Sequence, residues 1–218
     1  MKKTPLDVKL MIFDLDGTLL DSAKDIILSV KAVLKELGYP EKTEEEIASY
    51  IGWGSTQLLQ GSLGVEDPSI VKKSVDMYWD HYRQHCMDHA KLFPGAKEIL
   101  EHYKEKKKVI VSNKVREFVE FQLKEMNIND YFAKVVGGDD AKCAKPHPCP
   151  ILDILKEFKA VPDEAIMIGD MKIDIDAGKA AGVHTCAVTF GIGDRKALLG
   201  SDPDFVISDL IELKEIIR

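Results

Sequence analysis

The sequence predicts an α/β fold: a doubly wound, mostly parallel sheet with an inserted all-helical subdomain. Three observations predict it. Short apolar runs alternate with amphipathic helical stretches along most of the chain. Those runs are almost continuously apolar, so both faces of each strand must be covered, as in a parallel sheet flanked by helices. From about Asp21 to Phe93 the alternation stops and only helical patterns remain.

The first strand is the apolar run Val8–Phe13, which ends in Asp14. Ile26, Ile27, Val30, Val33, Leu34 and Leu37 then form one helical face that stops at Gly38. Thr43-Glu44-Glu45-Glu46 resembles a capping box and opens a second helix. Ser55–Leu63 and Ser69–Met87 supply two more helices. A segment of this length is too large for a connection and reads as a subdomain. The expected division is a core of residues 1–20 and 94–218 and an insert of residues 21–93, with Gly17 and Pro94-Gly95 as hinges. After the insert come a helix at Ala96–Lys106, a strand at Lys108–Val111 and a helix at Val115–Met126. Strands at Lys134–Val136, Ala165–Ile168, Thr185–Thr189 and Phe205–Ile207 alternate with helices at Pro150–Phe158, Asp174–Ala181 and Leu210–Ile217.

Composition narrows the function. The 218 residues suffice for one large domain, or a domain with an insertion. Apolar residues at 45% and charged residues at 31% exclude both a disordered chain and a membrane bundle. A formal net charge of -7 argues against nucleic acid or an anionic membrane as partner. No apolar run approaches the roughly 18 residues of a membrane span. Met1-Lys2-Lys3 is basic, but Thr4-Pro5-Leu6-Asp7 breaks any signal-peptide pattern, so a cytoplasmic location is expected. Cys86, Cys143, Cys149 and Cys186 contain no Cys-x-x-Cys and are expected to be reduced thiols. His81, His85 and His89 recur near Asp80 and Asp88, which suggests a wet helix face, with zinc as the weaker alternative. Lys104-Glu105-Lys106-Lys107-Lys108 reads as a solvated helix end. A monomer and a homodimer are equally compatible with the sequence.

In open α/β sheets ligands bind beyond the carboxyl ends of the strands. Here those ends carry Asp14-Leu15-Asp16-Gly17-Thr18, Ser112-Asn113-Lys114, and Gly169-Asp170 followed by Asp174 and Asp176. Lys145-Pro146 lies on the loop between the third and fourth strands. Converging carboxylates repel one another and resist ionisation. A divalent cation removes that penalty, and all-oxygen donors favour a hard ion such as Mg²⁺. Lys145 then faces an anionic group beside the metal.

These four segments, in this order, resemble the motifs of the haloacid dehalogenase-like phosphohydrolase superfamily. The helical insert is similar to the cap of its phosphoglycolate phosphatase and β-phosphoglucomutase branch. The resemblance implies a Rossmann-like core, a Mg²⁺ cofactor and a small phosphorylated metabolite as substrate. It implies Asp14 as the nucleophile that forms an aspartyl-phosphate, and Asp16 as the acid and base. Ser112, the Asn113 backbone N–H and Lys145 are implied to bind phosphate. Asp14, the main-chain carbonyl of Asp16, Asp170 and Asp174 are implied to serve the metal, with Asp174 as an outer ligand or an orienter of water. Thr18 is implied to support the first loop. Dehalogenases and phosphonate hydrolases of the superfamily lack an acid at the place of Asp16, so phosphate-ester chemistry is favoured. In Ile51-Gly52-Trp53-Gly54-Ser55-Thr56 the cap loop is expected to read the leaving group through Gly52, Trp53 and Gly54, although ordinary cap core is an alternative for Trp53. That loop contains no basic residue. The expected reaction is hydrolysis of a phosphate monoester. A sugar phosphomutase is the alternative, and a non-enzymatic phospho-acceptor or binding protein a remote one.

Overall fold

The computed structural model describes residues 5–140 and 142–218; Met1-Lys2-Lys3-Thr4 and Ala141 lie outside them. Six strands form one parallel sheet: β1 (Leu10–Phe13), β4 (Lys107–Val111), β5 (Lys134–Val136), β6 (Ala165–Gly169), β7 (His184–Val188) and β8 (Phe205–Ile207). Their order is β5-β4-β1-β6-β7-β8. The chain thus leaves β1 toward one edge, then crosses to β6 and runs to the other. That reversal opens a crevice at the carboxyl ends of β1, β4 and β6. Phe13 is level with both Ile110 and Ile168, so Asp14, Ser112 and Asp170 emerge near one another.

The strands are apolar throughout because both faces are covered. Met11, Phe13, Ile110, Ile166 and Ile168 pack on one face against α5 (Ala96–His102), α6 (Arg116–Glu125) and the closing helical turns. Leu10, Ile12, Val109, Val111 and Met167 pack on the other against α7 (Cys149–Phe158) and α8 (Lys172–Ala181). The insert comprises α1 (Ala23–Glu36), α2 (Glu44–Ala48), α3 (Ser55–Leu63) and α4 (Pro68–His85). It has its own apolar core, which Phe118 of α6 joins from the sheet domain. The capping box is formed: Glu46 N–H donates to Thr43 Oγ1 at 3.2 Å and Thr43 N–H to Glu46 Oε2 at 2.8 Å.

Local differences from the sequence reading have physical causes. Two short strands, β2 (Leu20–Asp21) and β3 (Lys91–Leu92), pair antiparallel where the chain leaves and re-enters the core. Two residues carry no detectable alternation. A further helix, α9 (Arg195–Gly200), starts at Asp194, whose Oδ1 accepts Ala197 N–H at 2.6 Å. The closing helix divides into a 3₁₀ turn at Leu210–Glu212 and α10 (Leu213–Ile216). Lys108 is not solvated: it is buried on β4, and its amine donates to the carbonyls of Tyr103 and Lys106 at the end of α5. Burial pulls its amine below the usual lysine range. No helix among the described residues is long and apolar enough to cross a membrane.

Candidate active site

Asp14 continues the β1 ladder, donating its N–H to Ile168 O at 3.0 Å. The chain then turns tightly, with Thr18, Leu19 and Leu20 all donating N–H to Leu15 O. Gly17 sits at φ +84°, and a Cβ there would lie 2.2 Å from Asp170 Oδ2. Only glycine therefore lets this loop lie over Asp170.

Lys145 is buried at the centre of the rim. Its Nζ donates to Asp14 Oδ1 and to Val111 O, each at 2.7 Å. It also lies 2.7 Å from Asp174 Oδ1. That last contact is an ion pair, and Asp174 Oδ1 has no other partner among the described residues. The Asn113 side chain grips the lysine's backbone: Nδ2 donates to Lys145 O at 2.9 Å, and Oδ1 accepts Lys145 N–H at 3.0 Å. The same Nδ2 donates to Gly52 O at 3.0 Å, tying the cap loop to the lysine loop. Ser112 is buried beside them, its Oγ accepting Lys114 N–H at 3.2 Å.

Asp170 is fixed by main-chain donors. Its Oδ2 accepts Ile192 N–H at 2.7 Å and Gly193 N–H at 3.1 Å, and its Oδ1 accepts Thr18 Oγ1–H at 3.2 Å. Asp174 sits in the first turn of α8, its Oδ2 accepting Met171 N–H at 2.9 Å. Carboxylate oxygens of Asp14, Asp170 and Asp174 all lie within 4.8 Å of one another. Burial raises the Asp14 pKa to about 7, with Asp174 adding to the rise and Lys145 opposing it. Burial and then the charges of Asp174 and Asp14 push Asp170 to about 8. Burial works against the Lys145 charge, but Asp14 and Asp174 outweigh it and hold the amine protonated far above neutrality. One buried cation thus faces three buried acids. The shortfall of positive charge and the all-oxygen donor set together suit a hard divalent cation.

Asp16 lies apart from that cluster. Its Oδ1 accepts a hydrogen bond from Ser22 Oγ and one from Lys114 Nζ at 2.5 Å. Lys114 Nζ also donates to Gln122 Oε1 at 2.8 Å and to Tyr82 OH at 3.0 Å. This network joins the sheet domain to α4 of the insert. Asp14, Asp16, Ser112, Asn113, Lys114 and Lys145 line one cleft, which Ile51, Leu58, Tyr78 and Tyr82 close on the cap side and Phe118 from α6. The cleft leaves a cavity of about 50 Å³. Gly52 and Gly54 line it, both at φ +90°. Trp53 does not: it is 43% exposed and outside the lining. The two glycines bring backbone rather than an aromatic face to the cleft.

The sequence reading did not single out Gln122 or Tyr82, and it treated Lys114 only as part of a motif. Their chemistry is ordinary; Lys114 and Gln122 meet within the core, and Tyr82 reaches them from α4. Ile192 and Gly193 were also missed, although Gly191-Ile192-Gly193 just beyond β7 was a usable signal. The histidine series divides among separate partners: His81 meets Ser29, His85 meets Asp88 and His89 meets Asp25. His147 is exposed, and Asp176 pairs with Lys172 on the surface of α8. The expectation of four reduced cysteines is corrected. Cys143 and Cys149 form a disulfide, while Cys86 and Cys186 are free and buried. Six residues of separation give no local signature, and the loop's fold brings the two thiols together.

A parallel sheet whose carboxyl rim carries three buried acids around one buried lysine is a doubly wound α/β core with a site suited to a cation and an anionic ligand. Residues 11–188 match the family of haloacid dehalogenase-like hydrolases. A phosphoglycolate phosphatase of Aquifex aeolicus strain VF5 is 36% identical over 95% of this chain and 97% of its own. One from Vibrio parahaemolyticus is 34% identical over 98% of both. The crystal structure of a predicted phosphoglycolate phosphatase from Haemophilus somnus 129PT superposes with a TM-score of 0.92 at 28% identity, covering 96% of this chain and 98% of that one. The chain belongs to the haloacid dehalogenase-like hydrolases and is a phosphoric monoester hydrolase.

Proposed function

We propose that this enzyme is a Mg²⁺-dependent phosphatase for a small organic phosphate that carries a second acidic group, of the phosphoglycolate type. In this reading residues 21–93 act as the cap and residues 1–20 with 94–218 as the catalytic core. The observation that carries it is Lys145 Nζ between Asp14 Oδ1 and Asp174 Oδ1, 2.7 Å from each, with Asp170 in the same buried cluster.

Asp14, Asp170 and Asp174 would hold the cation, which would neutralise the carboxylates and the incoming phosphate. Lys145 and Ser112 orient the phosphoryl oxygens. An Asp14 carboxylate oxygen attacks phosphorus and forms the aspartyl-phosphate, while the bond from phosphorus to the leaving oxygen breaks. Asp16 gives that oxygen its proton, then takes one from the water that attacks phosphorus and frees Asp14. The small cavity supports a short leaving group. The Lys114 ammonium beside Asp16 supports a negative substituent on it, and supplies from the core the positive charge that the cap loop lacks.

Phosphate release from a panel of phosphorylated metabolites, with Mg²⁺ and with chelator, tests the reading. Release is expected to need the metal and to be fastest with short carboxylate-bearing esters. Isomer formation without phosphate release would instead mark a phosphomutase. Asp14→Asn is expected to bring turnover below detection, because an amide cannot form the acyl phosphate; a clean preparation that still turns over rejects the nucleophile.

A further inference from the structure

The Cys143–Cys149 disulfide spans the loop that carries Lys145. The two Cα atoms are 6.3 Å apart, within the range a disulfide bridges. Both residues are half-buried, whereas Cys86 and Cys186 are buried. An external thiol can therefore reach this pair and not the others. His147, exposed on the same loop, accepts Cys149 N–H on Nδ1 at 3.2 Å, and a ring nitrogen lies within 4.8 Å of both sulfurs. Besides the disulfide, the loop is held by the Asn113 grip on the Lys145 backbone and by His147 N–H donating to Ala144 O at 2.9 Å. The covalent closure thus bears directly on how firmly the Lys145 backbone is placed.

We propose that Cys143 and Cys149 form a reversible redox site, reduced by a dithiol, that governs the position of Lys145. One reductant thiolate attacks a sulfur of the pair, the S–S bond breaks, and the other cysteine leaves as a thiolate that takes its proton from solvent. The reductant's second thiol displaces the first cysteine from the mixed disulfide and closes the reductant's own disulfide. Two electrons and two protons pass to the pair. Lys145 keeps its active geometry in the bonded form, so that form is the faster enzyme. The inference rests on Lys145 belonging to the phosphoryl-transfer machinery.

The test compares the full-length enzyme, purified without reductant, before and after dithiothreitol. Thiols are counted under native conditions, and p-nitrophenyl phosphate is turned over with Mg²⁺. Reduction is expected to expose two reactive thiols, speed amide exchange over residues 142–150 and lower kcat roughly ten-fold with KM little changed. Oxidised glutathione is expected to restore kcat. The double variant Cys143→Ser, Cys149→Ser is expected to stay at the reduced rate and to ignore the redox buffer. Equal kcat in the two thiol-counted states overturns the proposal. So does a double variant that still responds, or a reduced chain that binds one zinc ion while keeping full kcat. If the double variant fails to fold, the two states of the unmodified chain decide alone. Full activity in Lys145→Ala would instead remove the catalytic reading beneath it.

Discussion

Asp16 and Asp14 are two residues apart, yet their surroundings assign them different work. Asp14 faces Lys145 and two other buried acids, whereas Asp16 faces Ser22 and Lys114 at the cap boundary. Proton delivery to a leaving group matters in proportion to how poor that group is. Asp16→Asn is therefore expected to slow alkyl phosphates far more than p-nitrophenyl phosphate, whose phenolate leaves unaided. Equal losses on both substrates, measured as kcat/KM, reject the acid role. Asn113 offers a further residue-scale lesson. Beyond the backbone N–H expected to meet phosphate, its side-chain amide holds Lys145 and Gly52 together.

At the scale of elements, the cap joins the sheet domain at a few specific seams. Gly52 approaches Met171 so closely that a Cβ would lie 2.1 Å from its Sδ, at a φ of +90° that disfavours any side chain. Gly52→Ala is expected to push the cap loop off the cleft and raise KM. Adding Met171→Ala should recover part of that loss by clearing the clash, and no recovery would place the cause in the backbone alone. Within the insert, Asp25 on α1 secures the returning chain. Its buried carboxylate accepts His89 N–H at 3.0 Å, Ala90 N–H at 2.9 Å and a bond with His89 Nδ1 at 2.7 Å. It thereby fixes the segment that returns from α4 to β3. Asp25→Ala leaves those donors unpaired and is expected to cost about 2 kcal/mol in denaturant unfolding, tempered by the exposure of His89. A loss within the error of the measurement would show that water replaces the carboxylate.

For the whole molecule, the buried acids set the dependence of stability on pH. Asp14 at about 7 and Asp170 at about 8 both lie above the ordinary aspartate value of roughly 3.9. Between those limits the folded chain binds more protons than the unfolded one, so this contribution is full below about pH 4 and is lost as pH rises through 7 to 8. The metal-free enzyme is expected to show a falling Tm from pH 5 to 8. Mg²⁺ should restore most at the alkaline end, where the carboxylates it needs are ionised. A metal-free Tm that climbs over that range contradicts the burial argument. The continuous apolar runs of the six strands made the parallel sheet legible, because burial on both faces leaves no room for polar alternation. The four motif segments were legible because the carboxyl ends of β1, β4 and β6 must meet wherever such a sheet reverses its order. The sequence by itself therefore determined the architecture and the segments that meet at its rim. Tertiary structure alone decided that Asp16, Tyr82 and Gln122 converge on Lys114, that Trp53 stands outside the cleft, and that Cys143 meets Cys149. Those contacts join segments through the packing of helices and a loop's path, and neither has a period or a spacing to read.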